Sequence, residues 1–112
     1  MKPQNIIFKC ENVVQVWNAL SNYLNFNVKW KHIMVGFFHE QNRKTKSLNL
    51  LISYIAYRIY KYKMYCRLRS LNETCYNIFQ HVKFSVLTYT KILNNINALI
   101  EYRLFEKFVI AM

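Results

Sequence analysis

From Leu48 to Ile100 the chain carries two long apolar rows spaced in alternating steps of four and three residues. In the first row Leu48, Ile52, Ile55, Ile59, Tyr62 and Cys66 follow one another. In the second the same rhythm runs through Cys75, Phe79, Val82, Val86, Tyr89, Leu93, Ile96 and Ile100. That spacing keeps one side of an α-helix apolar along its length, which is the seam of a helix packed lengthwise on another helix. The link around Ser70 to Asn72 is too short for anything but an antiparallel return. The sequence therefore predicts an all-α fold, a small helical bundle built on a long antiparallel hairpin over residues 45–107. A capping box from Ser70 to Glu73, in the S-x-x-E spacing, is expected to open the second arm.

Two shorter helical segments are expected before the hairpin. Val13, Val16, Trp17, Leu20 and Leu24 make one apolar stripe over Glu11 to Leu24, and Asn25 and Asn27 break it. A second segment covers Val28 to Phe38, with Trp30, Ile33, Met34 and Phe37 on one side and Gly36 near its end. The polar run HEQNRKTK, from His39 to Lys46, reads as an exposed connection. One Gly and one Pro leave too few turn formers for a sandwich or barrel, and 54% hydrophobic residues are enough for a core. At 112 residues the chain reads as a single helical domain or a fragment of one: short N-terminal helices over 1–40, then the hairpin. The tail after Ile100 is amphipathic and then apolar from Phe108 to Met112, the pattern of a docked last turn or of an end awaiting a partner.

Several reaction classes are excluded by what is absent. There is no Asp, and the five Glu (Glu11, Glu40, Glu73, Glu101 and Glu106) are scattered. Metal-dependent phosphoryl chemistry needs clustered carboxylates to hold a hard cation against phosphate. A single Gly rules out Gly-rich phosphate loops, the nucleophile elbow and the dinucleotide fingerprint. No catalytic residue is assigned, and no cofactor or metal is expected. His39 with Cys10 makes two ligands from separate segments, which is too little for a metal site. Cys10, Cys66 and Cys75 are odd in number with no C-x-x-C, so a reducing, intracellular compartment is expected, nuclear or cytoplasmic. Cys66 and Cys75 fall in apolar registers and are expected to be buried. The opening MKPQNIIFKC lacks the apolar stretch of a secretory leader.

The formal charge of +11, from 16 Lys and Arg against 5 Glu, points to a polyanionic partner. AT-rich coding explains an excess of Lys, Asn, Ile and Tyr but not the scarcity of acids. The clearest candidate surface is the outward face of the third helical segment, where Tyr54, Arg58, Lys61 and Tyr65 form an i, i+4, i+7, i+11 stripe away from the apolar seam. Lys63, Arg67 and Arg69 extend its charge. Cations in such an arrangement neutralise phosphates and release counterions, while tyrosine rings offer stacking platforms to bases. The expected partner is RNA or DNA at low sequence specificity. Three alternatives accompany this reading. The stripe is also what a solvated helix face looks like, with its cations complementing the helix dipole. The seams suit a structural module that recruits a partner helix or self-associates. Basic and aromatic residues together suit a helix lying on an anionic membrane surface. A spanning helix is not expected, because the uncharged run from Ser47 to Tyr57 is about half of the roughly 20 residues needed.

The blocks of this sequence also occur in a recognisable order. NIIFKCENVVQVWNALSNYL resembles the second half of the zinc-binding region that follows the polymerase in LINE-type, non-LTR retrotransposon reverse transcriptases. There a His-hydrophobic-Phe-x-x-Cys motif leads into a helix with Val and Trp at the places of Val13 and Trp17. FNVKWKHIMVGFF is similar to that family's next block, NLLISYIAYRIYKYKMY to its Asn-Leu-Leu helix, and the stretch from Asn72 to Asn94 to its final helix. The resemblance covers most of residues 5 to 94. Asn5 stands about where the family has its metal-binding His, and the upstream Cys pair would precede Met1, so only Cys10 of that metal set is present. The resemblance implies a C-terminal remnant lacking the polymerase palm, from a region that helps hold RNA or DNA.

Overall fold

The computed structural model describes residues 3–35, 43–72 and 74–112, and every regular element among them is helical. In chain order these are α1 (Pro3–Ile7), a 3₁₀ turn at Glu11–Val13, α2 (Val14–Leu24), α3 (Trp30–Val35), α4 (Arg43–Leu68), α5 (Cys75–Asn95) and α6 (Leu99–Ala111). At a rise of about 1.5 Å per residue α4 is about 39 Å long, which sets the 40 Å long axis of the molecule. Its seam is where the spacing puts it. Ile52, Ile55, Ile59 and Cys66 are buried, and Leu48 and Tyr62 pack partly buried against the core. On α5, Val82, Val86 and Leu93 are buried and Phe79 and Tyr89 half-buried. The α4–α5 hairpin is antiparallel, with Tyr54 meeting Ser85 and, one turn on, Arg58 meeting His81 one turn back.

The hairpin turn differs from the capping box that the sequence suggests. Ser70 closes α4 instead of opening α5. Its φ is 55°, and Leu71 N–H donates to the Cys66 carbonyl (2.8 Å) while Ser70 N–H donates to that of Arg67 (3.3 Å). This is a Schellman closure. The N-cap of α5 is Thr74, whose hydroxyl accepts from Asn77 N–H at 3.0 Å; Glu73 lies outside the described residues. The same closure ends α2 at Asn25 (φ 57°) and α5 at Asn97 (φ 59°). Left-handed backbone normally favours Gly, and among the described residues Asn meets the need twice and Ser once. Ser70→Gly is accordingly expected to raise stability by about 0.5–1 kcal/mol, the relief of left-handed strain less the added freedom of the unfolded chain. An unchanged urea midpoint would contradict it.

The second seam does not continue as one helix to Ile100. The Asn-rich stretch Asn94 to Ala98 ends α5, and Ala98 N–H donates to the Leu93 carbonyl at 2.9 Å. Ile96 and Ile100, the last two positions of the row, are 66% and 44% exposed. The turn sends α6 back across the hairpin, so Phe105 and Phe108 are fully buried instead. Phe105 meets Tyr54 and Tyr89, with ring centroids 6.3 and 5.6 Å away. Phe108 meets Tyr23 at 5.8 Å, and the Tyr23 hydroxyl donates to the Leu104 carbonyl. Ser47 on α4 donates to Glu101 at 3.1 Å. The apolar end is thus docked through Phe108, while Ile110 remains exposed.

The N-terminal segments cover the other side. Val13, Val16, Trp17 and Leu20 are buried, as their spacing predicts, and the Trp17 indole donates to the Ile7 carbonyl at 2.8 Å. The second segment is shorter than expected. It is helical over Trp30–Val35, Met34 is exposed, and Gly36 and Phe37 lie outside the described residues. His32 caps its start by accepting from Lys29 N–H at 2.9 Å. Of the polar run His39 to Lys46, residues 39–42 lie outside the described residues. Arg43 to Lys46 are the first turn of α4, not a connection. Among the described residues no helix is long and apolar enough to cross a membrane.

Candidate nucleic-acid interface

The seven residues singled out on α4 do not share one outward face. Four residues along a helix advance only about 40° around it, so the Tyr54, Arg58, Lys61, Tyr65 stripe borders the seam residue Tyr62 instead of opposing it. Its two ends meet different surroundings. At the Tyr54 end, α6 closes over the hairpin through Phe105. The Tyr54 ring stacks on Tyr89 (4.6 Å, 21°), its hydroxyl donates to the Ser85 carbonyl, and burial raises its pKa. Tyr54 is therefore a packing residue and not a platform for bases. Lys63 is also turned inward: it is buried, and its ammonium donates to the Ile6 carbonyl, tying α1 to α4.

Beyond Tyr54 the stripe is open. Lys61, Tyr65 and Arg69 are exposed there, whereas Arg67, two residues from both Tyr65 and Arg69, is exposed on the far side of the helix near Cys10. The Arg69 guanidinium carbon sits 4.7 Å from the centre of the Tyr65 ring, and the Lys61 ammonium 5.8 Å from that of Tyr57. Each pair is one helical turn apart, so a cation lies over a ring twice along the same helix. Arg58 stands between the closed and open ends, half-buried, with Nη2 3.4 Å from His81 Nε2. A groove of about 490 Å³ runs beside it between α4 and α5, lined by Arg58, Lys61, Tyr62, Met64, Tyr65, Leu68 and His81.

Sequence reasoning missed Tyr57 and His81. Tyr57 precedes Lys61 by four residues and was legible as a ring beneath a cation. His81 becomes visible once the two arms are paired in antiparallel register, since a step of four along α4 then answers a step of four back along α5. Its ring stacks on Tyr62 (4.7 Å, 30°), and Nε2 lies 3.5 Å from the Ser85 hydroxyl. A guanidinium only donates, so Nε2 facing Arg58 is the acceptor and the neutral ring carries its proton on Nδ1. Burial lowers the His81 pKa, and the Arg58 charge lowers it further. His32 is lowered as well, first by burial and then by Lys31 and Lys29.

Both shifts have the same consequence for stability. Above the ordinary value of 6.5 folded and unfolded chains hold these rings neutral alike. As pH falls below it, the unfolded chain takes up protons that the folded chain resists, so stability declines until the folded rings also titrate. The urea midpoint is expected to be lower at pH 5.5 than at pH 7.5, and His81→Gln should narrow the difference. Equal midpoints in the parent chain would contradict the burial of these rings.

Cys10 and Cys66 are free thiols lining a second cleft, of about 280 Å³, together with Lys63 and Arg67. Cys66 is buried, as its register predicts, and the Cys75 side chain lies outside what the structure describes. Among the described residues no three His, Cys, Asp or Glu side chains gather as a metal would require. His39, weighed with Cys10 as a ligand pair, lies outside the described residues. No protein-family model, curated protein or solved structure matches the chain.

Proposed function

We propose that this chain is an auxiliary nucleic-acid-binding module that holds single-stranded RNA or DNA, at low sequence specificity, along the C-terminal half of α4. The observation that carries this reading is the open end of the stripe. Lys61, Tyr65 and Arg69 are exposed together, Arg69 lies over Tyr65, and a groove leads from Lys61 and Tyr65 to Arg58. Cations beside rings suit a backbone whose bases are free to stack, and a charge of +11 favours a polyanion at long range. The module has no catalytic role in this reading. Its origin is a remnant of a LINE-type reverse transcriptase C-terminal region, supported by the ordered blocks around Cys10, Val13 and Trp17. An intracellular location is supported by the two free thiols sharing one cleft.

The test is fluorescence anisotropy on a single-stranded RNA across a salt series. Affinity should fall steeply as salt rises, because binding releases condensed counterions. Absence of binding at low salt would sink the reading. A second reading, a module that takes a partner helix, is favoured by Ile96, Leu99 and Ile100, all exposed around the α5–α6 turn. It predicts oligomers by light scattering and indifference to RNA.

A further inference from the structure

We infer that Arg58 and His81 form a phosphate-binding notch between α4 and α5, which takes up one proton on His81 as it takes one phosphodiester of a single strand. The inference rests on the reading above and names the centre of that surface. Arg58 is the starting point. Its guanidinium is half-buried, its Nε is shielded from solvent without a hydrogen-bond partner among the described residues, and its Nη2 has only a ring nitrogen at 3.4 Å. A permanent cation withdrawn from water normally faces a carboxylate, because desolvation is costly unless an opposite charge repays it. Around this one the facing groups are Tyr54, Lys61 and Tyr62 from α4 and His81 and Ser85 from α5. None of these described groups is an acid, so the notch has a place for an anion that no side chain among the described residues fills.

The geometry suits an oxyanion. Arg58 carries an Nε and Nη edge that matches two phosphate oxygens, its Nε reached once the contact with His81 opens. Lys61 lines the same groove one turn along, and the Ser85 hydroxyl lies beside His81 Nε2. In the free chain that nitrogen is an acceptor held against Arg58. An anion oxygen that accepts from both as this 3.4 Å contact opens reverses the balance: protonated Nε2 becomes a donor to phosphate, and the ligand charge screens it from Arg58. Uptake of the proton comes from solvent and no bond is made or broken. Affinity for the single strand is therefore linked to pH, rising by at most about tenfold per pH unit while His81 is neutral in the free chain and charged in the complex.

The experiment is an NMR titration of the histidine rings in the full chain, alone, with sulfate, and with an oligouridylate long enough to span the groove. Sulfate keeps a constant charge over the range, so it isolates the proton on the ring. His81 is identified as the resonance lost in His81→Gln. Both ligands are expected to raise the His81 midpoint while leaving that of His32 in place. Oligouridylate affinity should rise from pH 7.5 to pH 5.5 in the parent chain and stay nearly flat in His81→Gln, with circular dichroism confirming that both remain folded. Arg58→Lys, which keeps charge but loses the planar edge, should weaken sulfate binding. If the oligouridylate binds and the His81 midpoint does not move, the notch is overturned and the wider interface survives. If sulfate moves His81 but the oligouridylate does not bind, the notch stands as an anion site and the nucleic-acid reading falls. If neither binds, both fall.

Discussion

Phe105→Ala is expected to destabilise the fold by about 3–5 kcal/mol, the usual cost of emptying a fully packed aromatic site. That is a large share of the roughly 5–15 kcal/mol that holds a domain together. Phe105 is fully buried where three helices meet, against Tyr54 of α4 and Tyr89 of α5, which stack on each other. Alanine would remove the edge of this aromatic layer and leave a cavity that two tyrosines, one tethered by its hydroxyl to Ser85, cannot collapse to fill. It would also loosen α6, whose remaining anchors are chiefly Phe108 and the Ser47–Glu101 hydrogen bond. Urea unfolding followed by far-UV circular dichroism measures the loss. Ile110→Ala, at a side chain 77% exposed on the same helix, should change stability by less than about 0.5 kcal/mol. Similar small losses at both positions would mean that α6 does not dock on the hairpin.

How far the sequence predicts this fold depends on the element. The α4 seam is legible because six positions in strict rhythm leave one way to pack, and burial follows the rhythm from Ile52 to Cys66. The end of α5 is not, since periodicity measures only which side of a helix is apolar. Ile96 and Ile100 keep step with a helix that the backbone has already left at Asn95. The signal that does mark the break is chemical: Asn94, Asn95 and Asn97 fall together, and Asn tolerates the left-handed turn. Ser70 misleads in a similar way, because a residue that often starts a helix here ends one. For the interface, spacing identifies the stripe but not which part of it is covered. Tyr54 and Lys63 lose their proposed roles to partners distant in sequence, Phe105 and Tyr89 for one and Ile6 for the other. Such contacts appear only after α6 and α1 are placed.

That division of the seven residues distinguishes a defined interface from a general excess of charge. For a single strand, each phosphate neutralised contributes about 0.7 to the slope of log affinity against log salt. Replacing Lys61 and Arg69 together by Gln removes two exposed cations and should flatten that slope by about 1.4. Affinity at low salt should fall by orders of magnitude, and the loss should shrink as salt rises. Lys63→Met removes the same unit of charge from a buried site whose ammonium is engaged with Ile6, so the slope should not change. Tyr65→Ala should behave in a third way, costing about 1–3 kcal/mol of stacking at every salt concentration while leaving the slope nearly intact. A general charge effect would weaken binding by a similar salt-dependent amount per charge in the Gln and Met variants and leave Tyr65→Ala unaffected. A defined interface separates them, because only cations that meet phosphate release counterions and only an exposed ring meets a base. If Lys63→Met flattens the slope as much per charge as the exposed cations do, the strand does not lie along the open end of α4.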